Sequence, residues 1–197
     1  MTDIIRWSDI EETPIHAGHF RRQVELETCY VAVHRYLPGG GGYDMHKHAE
    51  TQAGIILTGN MGMLLHDGSR SMAAGHAYII PGNEEHGGKA DGAETLVLNF
   101  YVKPHLVPPV QGHAVDFNWS QGSAQQVAHG VRLAAQDIPA GSPLPAPPSL
   151  GDEGFVVLLS GAMGDLKPVD AVRASALARQ QMKAGPQGAR LLYFTVN

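Results

Sequence analysis

His46 and His48 stand two residues apart, and in an extended strand that spacing sends both side chains to one face. Their imidazoles can then converge on a single ion. Gln52 has the same parity and, if the strand continues, lies on that face further along. His86 is distant in sequence and must arrive from a different strand. Three imidazole nitrogens and one amide oxygen make a neutral donor set suited to one divalent transition metal: Zn²⁺, Fe²⁺, Mn²⁺, Ni²⁺ or Cu²⁺. Such a site keeps positions open for water or substrate, as a catalytic metal requires. A His-x-His pair alone is more often a surface or packing feature. Joined to His86 and to the turn residues Gly40, Gly59, Gly75 and Pro81, it is read as a metal site. Gln52 has a second reading, as a polar wall residue bonded to a bound water beside three histidine ligands. Glu50 is expected to be solvated or paired with Lys47 or another cation.

Proton-transfer chemistry needs a general acid or base near such an ion. Three same-parity pairs are candidates: His34 with Tyr36, His76 with Tyr78, and Asn99 with Tyr101. Alternation says which residues travel together but not which face is inward. Tyr43, just before His46, is a candidate lid residue. His66, His105, His113 and His129 are expected to face solvent.

Short strands must position these groups. Residues 20–37 (FRRQVELETCYVAVHRYL) read as one or two strands ending at Pro38 and four successive glycines. Segments 50–58, 61–66, 71–73, 76–80 and 95–102 follow, separated by Gly59-Asn60, Asp67-Gly68, Gly75, Pro81-Gly82-Asn83 and Asp91-Gly92. With almost no helical periodicity, this predicts an all-β antiparallel barrel or sandwich. The 24 glycines and 13 prolines among 197 residues suit many tight turns. A formal charge of −5, without a basic cluster, argues against a nucleic-acid partner. No apolar run approaches the roughly 20 residues that span a bilayer. The acidic start MTDIIRWSDIEETP lacks the features of a signal peptide. The single cysteine, Cys29, excludes an internal disulfide and is expected in the core. A cytoplasmic setting is the expectation.

Residues 103–112 (KPHLVPPVQG) read as a connector, dividing the chain into 1–103 and 113–197. The second half echoes the first. VRLAAQDIPAG (131–141) resembles YVAVHRYLPGG (30–40), VVLLSGAMG (156–164) resembles GIILTGNMG (54–62), and GARLLYFTV (188–196) resembles ETLVLNFYV (94–102). The order is kept, which predicts a duplicated barrel with a shortened second copy. Where the first half has MHKHAETQ, the second has the histidine-free PLPAPPSLGDEG. Segment 168–183, rich in Ala, Arg and Gln, is alternatively a helix starting near Pro168.

On these residues the chain resembles the cupin superfamily. That family's first motif runs glycine, five residues, His-x-His, three or four residues, Glu, six residues, glycine, and Gly40, His46, His48, Gln52 and Gly59 fall into it. The second runs glycine, five residues, Pro-x-Gly, two residues, His, three residues, Asn. Gly75, Pro81 and His86 match, but the second glycine is shifted to Gly82 and Ala90 replaces the asparagine. The resemblance implies a jelly-roll β-barrel with His46, His48, Gln52 and His86 around a metal, in a protein that pairs as a homodimer. Gln52 stands where the family usually has glutamate. Some cupins with glutamine there resemble uronate ring-opening enzymes and certain lyases. The acidic residue those ring-opening enzymes carry is absent from LVLNFYVKP (96–104).

An amide in place of a carboxylate leaves the site one unit more positive, favouring an anionic ligand and weighing against Fe³⁺. The leading expectation is a metal-dependent enzyme for a small anionic metabolite, using Lewis-acid lyase, isomerase or hydrolase chemistry. The alternatives are an iron-dependent dioxygenase and a non-catalytic small-molecule-binding or sensor barrel.

Overall fold

The computed structural model describes residues 4–119, 124–144, 154–173, 176 and 182–196. Strands dominate. In chain order they are β1 (Ile4–Ile5), β2 (Thr13–His16), β3 (His19–Glu25), β4 (Cys29–Tyr36), β5 (Gly42–His46) and β6 (Thr51–Thr58). Then come β7 (Asn60–Leu65), β8 (Gly68–Ala73), β9 (His76–Ile80), β10 (His86–Ala90), β11 (Thr95–Val102) and β12 (Val115–Asn118). The remaining strands are β13 (Ala124–Ala128), β14 (Val131–Ile138), β15 (Gly154–Met163), β16 (Ala171–Arg173) and β17 (Ala184–Val196). Among the described residues the strands pair antiparallel, as expected of a jelly roll. No helix among the described residues is long and apolar enough to cross a membrane.

The chain forms two compact units, Ile10–Ser120 and Met1–Asp9 with Gln121–Asn197. In the first, a seven-stranded sheet ordered β12-β9-β6-β11-β4-β3-β2 accompanies a four-stranded sheet ordered β5-β10-β7-β8. Tyr36, Ile56, Tyr78, Ile80 and Val97 of the large sheet share one core with Met61, Met63, Leu65, Met72 and Ala90 of the small one. Two sheets each burying one face on the other is the sandwich that alternating strands require. Cys29 is buried at the start of β4.

Two strands beside the histidines carry no local strand pattern. GYDMH (β5) and HGGKA (β10) have neither alternation nor an apolar run. Their glycines do the work instead. A Cβ on Gly42 would collide with the backbone of Gly88 and Lys89, so side-chain-free residues let β5 and β10 approach.

In the second unit a six-stranded sheet is ordered β1-β16-β15-β17-β14-β13. Val156, Leu158, Leu191 and Tyr193 anchor its core. The order β15-β17-β14 parallels β6-β11-β4. Both strand pairs also slip register at equivalent places, between Leu96 and Val97 in one and between Leu158 and Ser160 in the other. The helix considered from Pro168 is not formed at its start. Ala171 and Val172 are fully buried and lie in β16, paired with β15, because this part of the segment completes a sheet edge. Residues 174–175 and 177–181 of that segment lie outside the described residues, as does most of PLPAPPSLGDEG.

Candidate metal centre

His46 ends β5 and His86 begins β10, and the two are cross-strand partners. His48 follows in the bend before β6, so the strand does not continue from His46 to Gln52. Gln52 comes instead from β6 in the other sheet. The shared parity anticipated from sequence is therefore replaced by a sheet-to-sheet corner, and the four side chains still meet. The candidate donor nitrogens of His46, His48 and His86 lie within 4.8 Å of one another.

Backbone carbonyls fix the histidine tautomers. His46 Nδ1 is 2.9 Å from Asp44 O, His48 Nδ1 is 3.0 Å from Glu50 O, and His86 Nδ1 is 2.9 Å from Glu84 O. A carbonyl oxygen only accepts, so each Nδ1 carries the hydrogen and each Nε2 presents a lone pair. Burial pushes the His86 imidazolium pKa down to about 4, favouring that neutral form. Glu50, expected to be solvated or paired with a cation, also has a carboxylate oxygen 3.6 Å from His48 Nδ1.

Gln52 is oriented from behind. Its amide nitrogen donates to Asn99 Oδ1 at 3.2 Å and to the Tyr78 hydroxyl at 3.4 Å, and that hydroxyl donates to Asn99 Oδ1 at 2.6 Å. Gln52 Oε1 thus faces His48 Nε2 at 3.1 Å and His86 Nε2 at 3.0 Å. Three acceptors with no hydrogen between them converge on one point. Their lone pairs repel unless a cation lies among them, so the residues fit a metal, and the carbonyls behind the histidines are the supports that metal ligands require. Gly54 makes this possible, since a Cβ there would overlap Asn99 Oδ1 and the Tyr78 ring.

The site opens into a cavity of about 220 Å³ lined by Arg21, Tyr30, Tyr36, Tyr43, Tyr101 and Met63 among others. Arg21 is the cation of that lining, and the lining contains no carboxylate. Tyr36, Tyr78, Asn99 and Tyr101 all face the cavity, which settles the direction of their strands. His34 is buried behind it. His76 is elsewhere, at the β8–β9 turn, where its Nδ1 meets the backbone of Ala73 and its Nε2 meets Asn118. Parity placed it with Tyr78, but the strand ends there and its ring folds back on the turn.

Tyr43 is a cavity residue on β5, held at its hydroxyl by two histidines. The hydroxyl is 2.7 Å from His34 Nδ1 and 3.2 Å from His19 Nε2. His34 Nε2 in turn lies 3.5 Å from the Tyr101 hydroxyl. One consistent assignment has His19 Nε2–H donating to Tyr43, Tyr43 donating to His34 Nδ1, and His34 Nε2–H donating to Tyr101. Burial holds both imidazoles neutral, pushing His19 down to about 4 and His34 to about 3. Burial likewise pushes the Tyr43 phenol up to about 12. Sequence reasoning missed His19, Arg21 and Gly54. A glycine inside the apolar run GIILT was the available signal for Gly54, whereas nothing local marks His19 or Arg21.

Comparison with known proteins bears on the fold. Residues 32–102 match the family model described as a cupin domain. No curated protein matches closely enough to count as a relative. Among solved structures, the chain is similar to AerE from Microcystis aeruginosa, at 13% identity and TM-score 0.69, covering 95% of this chain and 97% of that one. It is also similar to the bacterial pirin YhhW from Escherichia coli, solved with nickel(II), at 11% identity and TM-score 0.71, covering 98% and 97%. A third likeness is to a mutant of Bacillus subtilis oxalate decarboxylase OxdC, at 11% identity and TM-score 0.69, covering 100% of this chain and 77% of that one. The His-x-His turn, the converging donors and the jelly-roll sheets belong together: residues 32–102 of this chain form a cupin domain.

Proposed function

We propose that the first unit is a metal-dependent enzyme acting on a small anionic metabolite, with His46, His48, Gln52 and His86 holding one divalent transition metal. The observation that carries the reading is the charge of the cavity: neutral metal donors, the Arg21 guanidinium and no carboxylate in the lining. A neutral donor set leaves the full charge of an ion available as a Lewis acid toward a bound carbonyl, hydroxyl or carboxylate. Arg21 supplies the opposite anchor, with a planar fork suited to a carboxylate or phosphate. The cavity, about 220 Å³, lies below the roughly 300–1,000 Å³ of sites for drug-sized ligands, which fits a small metabolite.

The chain's own proton-transfer group in this reading is Tyr43. Tyr43 and Tyr101 both line the cavity, and His34 between their hydroxyls can relay a proton from one to the other, taking it at Nδ1 as Nε2 gives one up, so that the ring stays neutral. Lyase, isomerase and hydrolase steps all need such a group beside a polarised oxygen. The nickel in the YhhW structure and the decarboxylase activity named for OxdC are properties of those proteins, and both are compatible with this chemistry. We read the second unit as a degenerate copy that lacks the site, supported by the matching strand order and register slips.

The test is ligand binding by the metal-loaded protein. Small mono- and dicarboxylates and inorganic phosphate are screened by thermal shift, and hits are followed for turnover. Anions that stabilise wild type but not Arg21→Ala, with conversion of at least one of them, support the reading. Equal response to neutral analogues, or binding without any turnover, contradicts it.

A further inference from the structure

Away from the cavity, three other side chains of the first unit converge. His66 follows β7, Glu84 lies between β9 and β10, and His113 belongs to the connector between β11 and β12. Glu84 Oε1 is 3.1 Å from His66 Nδ1 and 3.8 Å from His113 Nδ1. The two imidazoles stack, with centroids 3.5 Å apart and planes 7° from parallel. The histidine side chains are 40% and 67% exposed, whereas that of Glu84 is only 5% exposed. Its second oxygen, Oε2, is buried without a hydrogen-bond partner.

Ordinary ion pairing does not account for this set. Oε1 meets both rings, yet Oε2 stays buried without a partner, which is costly in a low-dielectric setting. A cation bound through both carboxylate oxygens and one nitrogen of each ring removes that cost.

We propose that His66, Glu84 and His113 form a second divalent metal site, separate from the cavity and of the zinc class. One candidate donor atom from each residue lies within 4.8 Å of the others. Two imidazole nitrogens and one carboxylate oxygen are a zinc donor set that leaves a position for water. The parallel rings require one imidazole to rotate so that its lone pair reaches the ion, and His113, on the connector, is the more exposed of the two. The donor set carries one negative charge, unlike the neutral set in the cavity, so it selects for a cation without needing an anionic co-ligand. An ion there ties the connector to the turn whose Glu84 carbonyl accepts from His86 Nδ1 at 2.9 Å. The site thus braces a support of the first centre from outside. The proposal does not depend on what the cavity binds.

Zinc titration of chelator-stripped protein tests it, with uptake read by calorimetry and equilibrium dialysis. Wild type is expected to take two equivalents. The double variants His46→Ala/His48→Ala and His66→Ala/His113→Ala are each expected to take one, and the four-fold variant none. Glu84→Gln, which keeps the shape of the side chain, is expected to weaken the second equivalent at least tenfold, with circular dichroism confirming that each variant folds. The proposal is overturned if His46→Ala/His48→Ala takes no zinc. It is equally overturned if that variant's zinc survives the added loss of His66 and His113. Loss of metal from the cavity site alone would count against the proposed function and leave this one standing.

Discussion

Gln52 Oε1 and His86 Nε2 face each other at 3.0 Å with no hydrogen available from either. The Nδ1–H of His86 is committed to the Glu84 carbonyl, and the Gln52 amide hydrogens are committed to Asn99 and Tyr78. An acceptor-to-acceptor contact this close is what a ligand set looks like when its geometry is built by its supports. Gln52 therefore belongs with the histidines as a ligand in this account, and substitution there is informative.

Gln52→Glu restores the carboxylate usual in the family and adds one negative charge at the centre. Metal affinity should rise about tenfold or more, about 1.4 kcal/mol. Binding of anions to the loaded protein should weaken. Competition with a chromophoric chelator reads the first effect and anion titration the second. Unchanged metal affinity would return Gln52 to the role of a wall residue.

Gly54→Ala should damage the centre without touching a ligand. The new methyl group would occupy the space of Asn99 Oδ1 and the Tyr78 ring, which hold the Gln52 amide. Overpacking of this kind costs about 1–3 kcal/mol. A lowered denaturation midpoint with metal affinity reduced about tenfold is expected. A variant with wild-type affinity would show that the orientation of Gln52 is not set by this pair.

Arg21→Ala should reduce affinity for anionic ligands tenfold to a hundredfold, corresponding to the roughly 1.5–3 kcal/mol of a charged hydrogen bond. Metal content should be unaffected, because Arg21 lines the cavity without belonging to the donor cluster. Calorimetry on the metal-loaded variant separates the two quantities.

Acid should destabilise the fold through His19 and His34. Their folded pKa values, about 4 and about 3, lie below the ordinary value of 6.5, so the unfolded chain binds more protons between them. The stability contributed by the neutral pair is fully present above about pH 6.5 and is lost as pH falls toward 4 and below. Urea midpoints measured from pH 7 to pH 4 should fall steadily in wild type and more gently in His34→Gln. Parallel profiles would remove this pair as the cause.

Much of this was readable before any coordinates. The strands at 51–58, 76–80 and 95–102 announced themselves because their apolar residues are bounded by Gly, Pro and Asn turns. The histidines stood out by spacing. What stayed hidden lies in sheet-to-sheet geometry. β5 and β10 look like loops because their role requires small residues for close approach, not an apolar pattern. Arg21 reaches the cavity only because β3 pairs with β4 in a register no local pattern specifies. Tyr43 gains its meaning from His19 and His34, which lie on two other strands. The solvent-facing expectation for His66 and His113 held for the rings but missed the buried carboxylate beneath them.

The central claim, that His46, His48, Gln52 and His86 hold a divalent metal, is tested most directly by elemental analysis of the purified protein. Wild type is measured beside His46→Ala and His86→Ala, each after reconstitution with excess divalent metal and gel filtration. Near-stoichiometric transition metal is expected in wild type, with its loss in both variants. Wild type that holds no metal after reconstitution, or variants that retain as much as wild type, would contradict it.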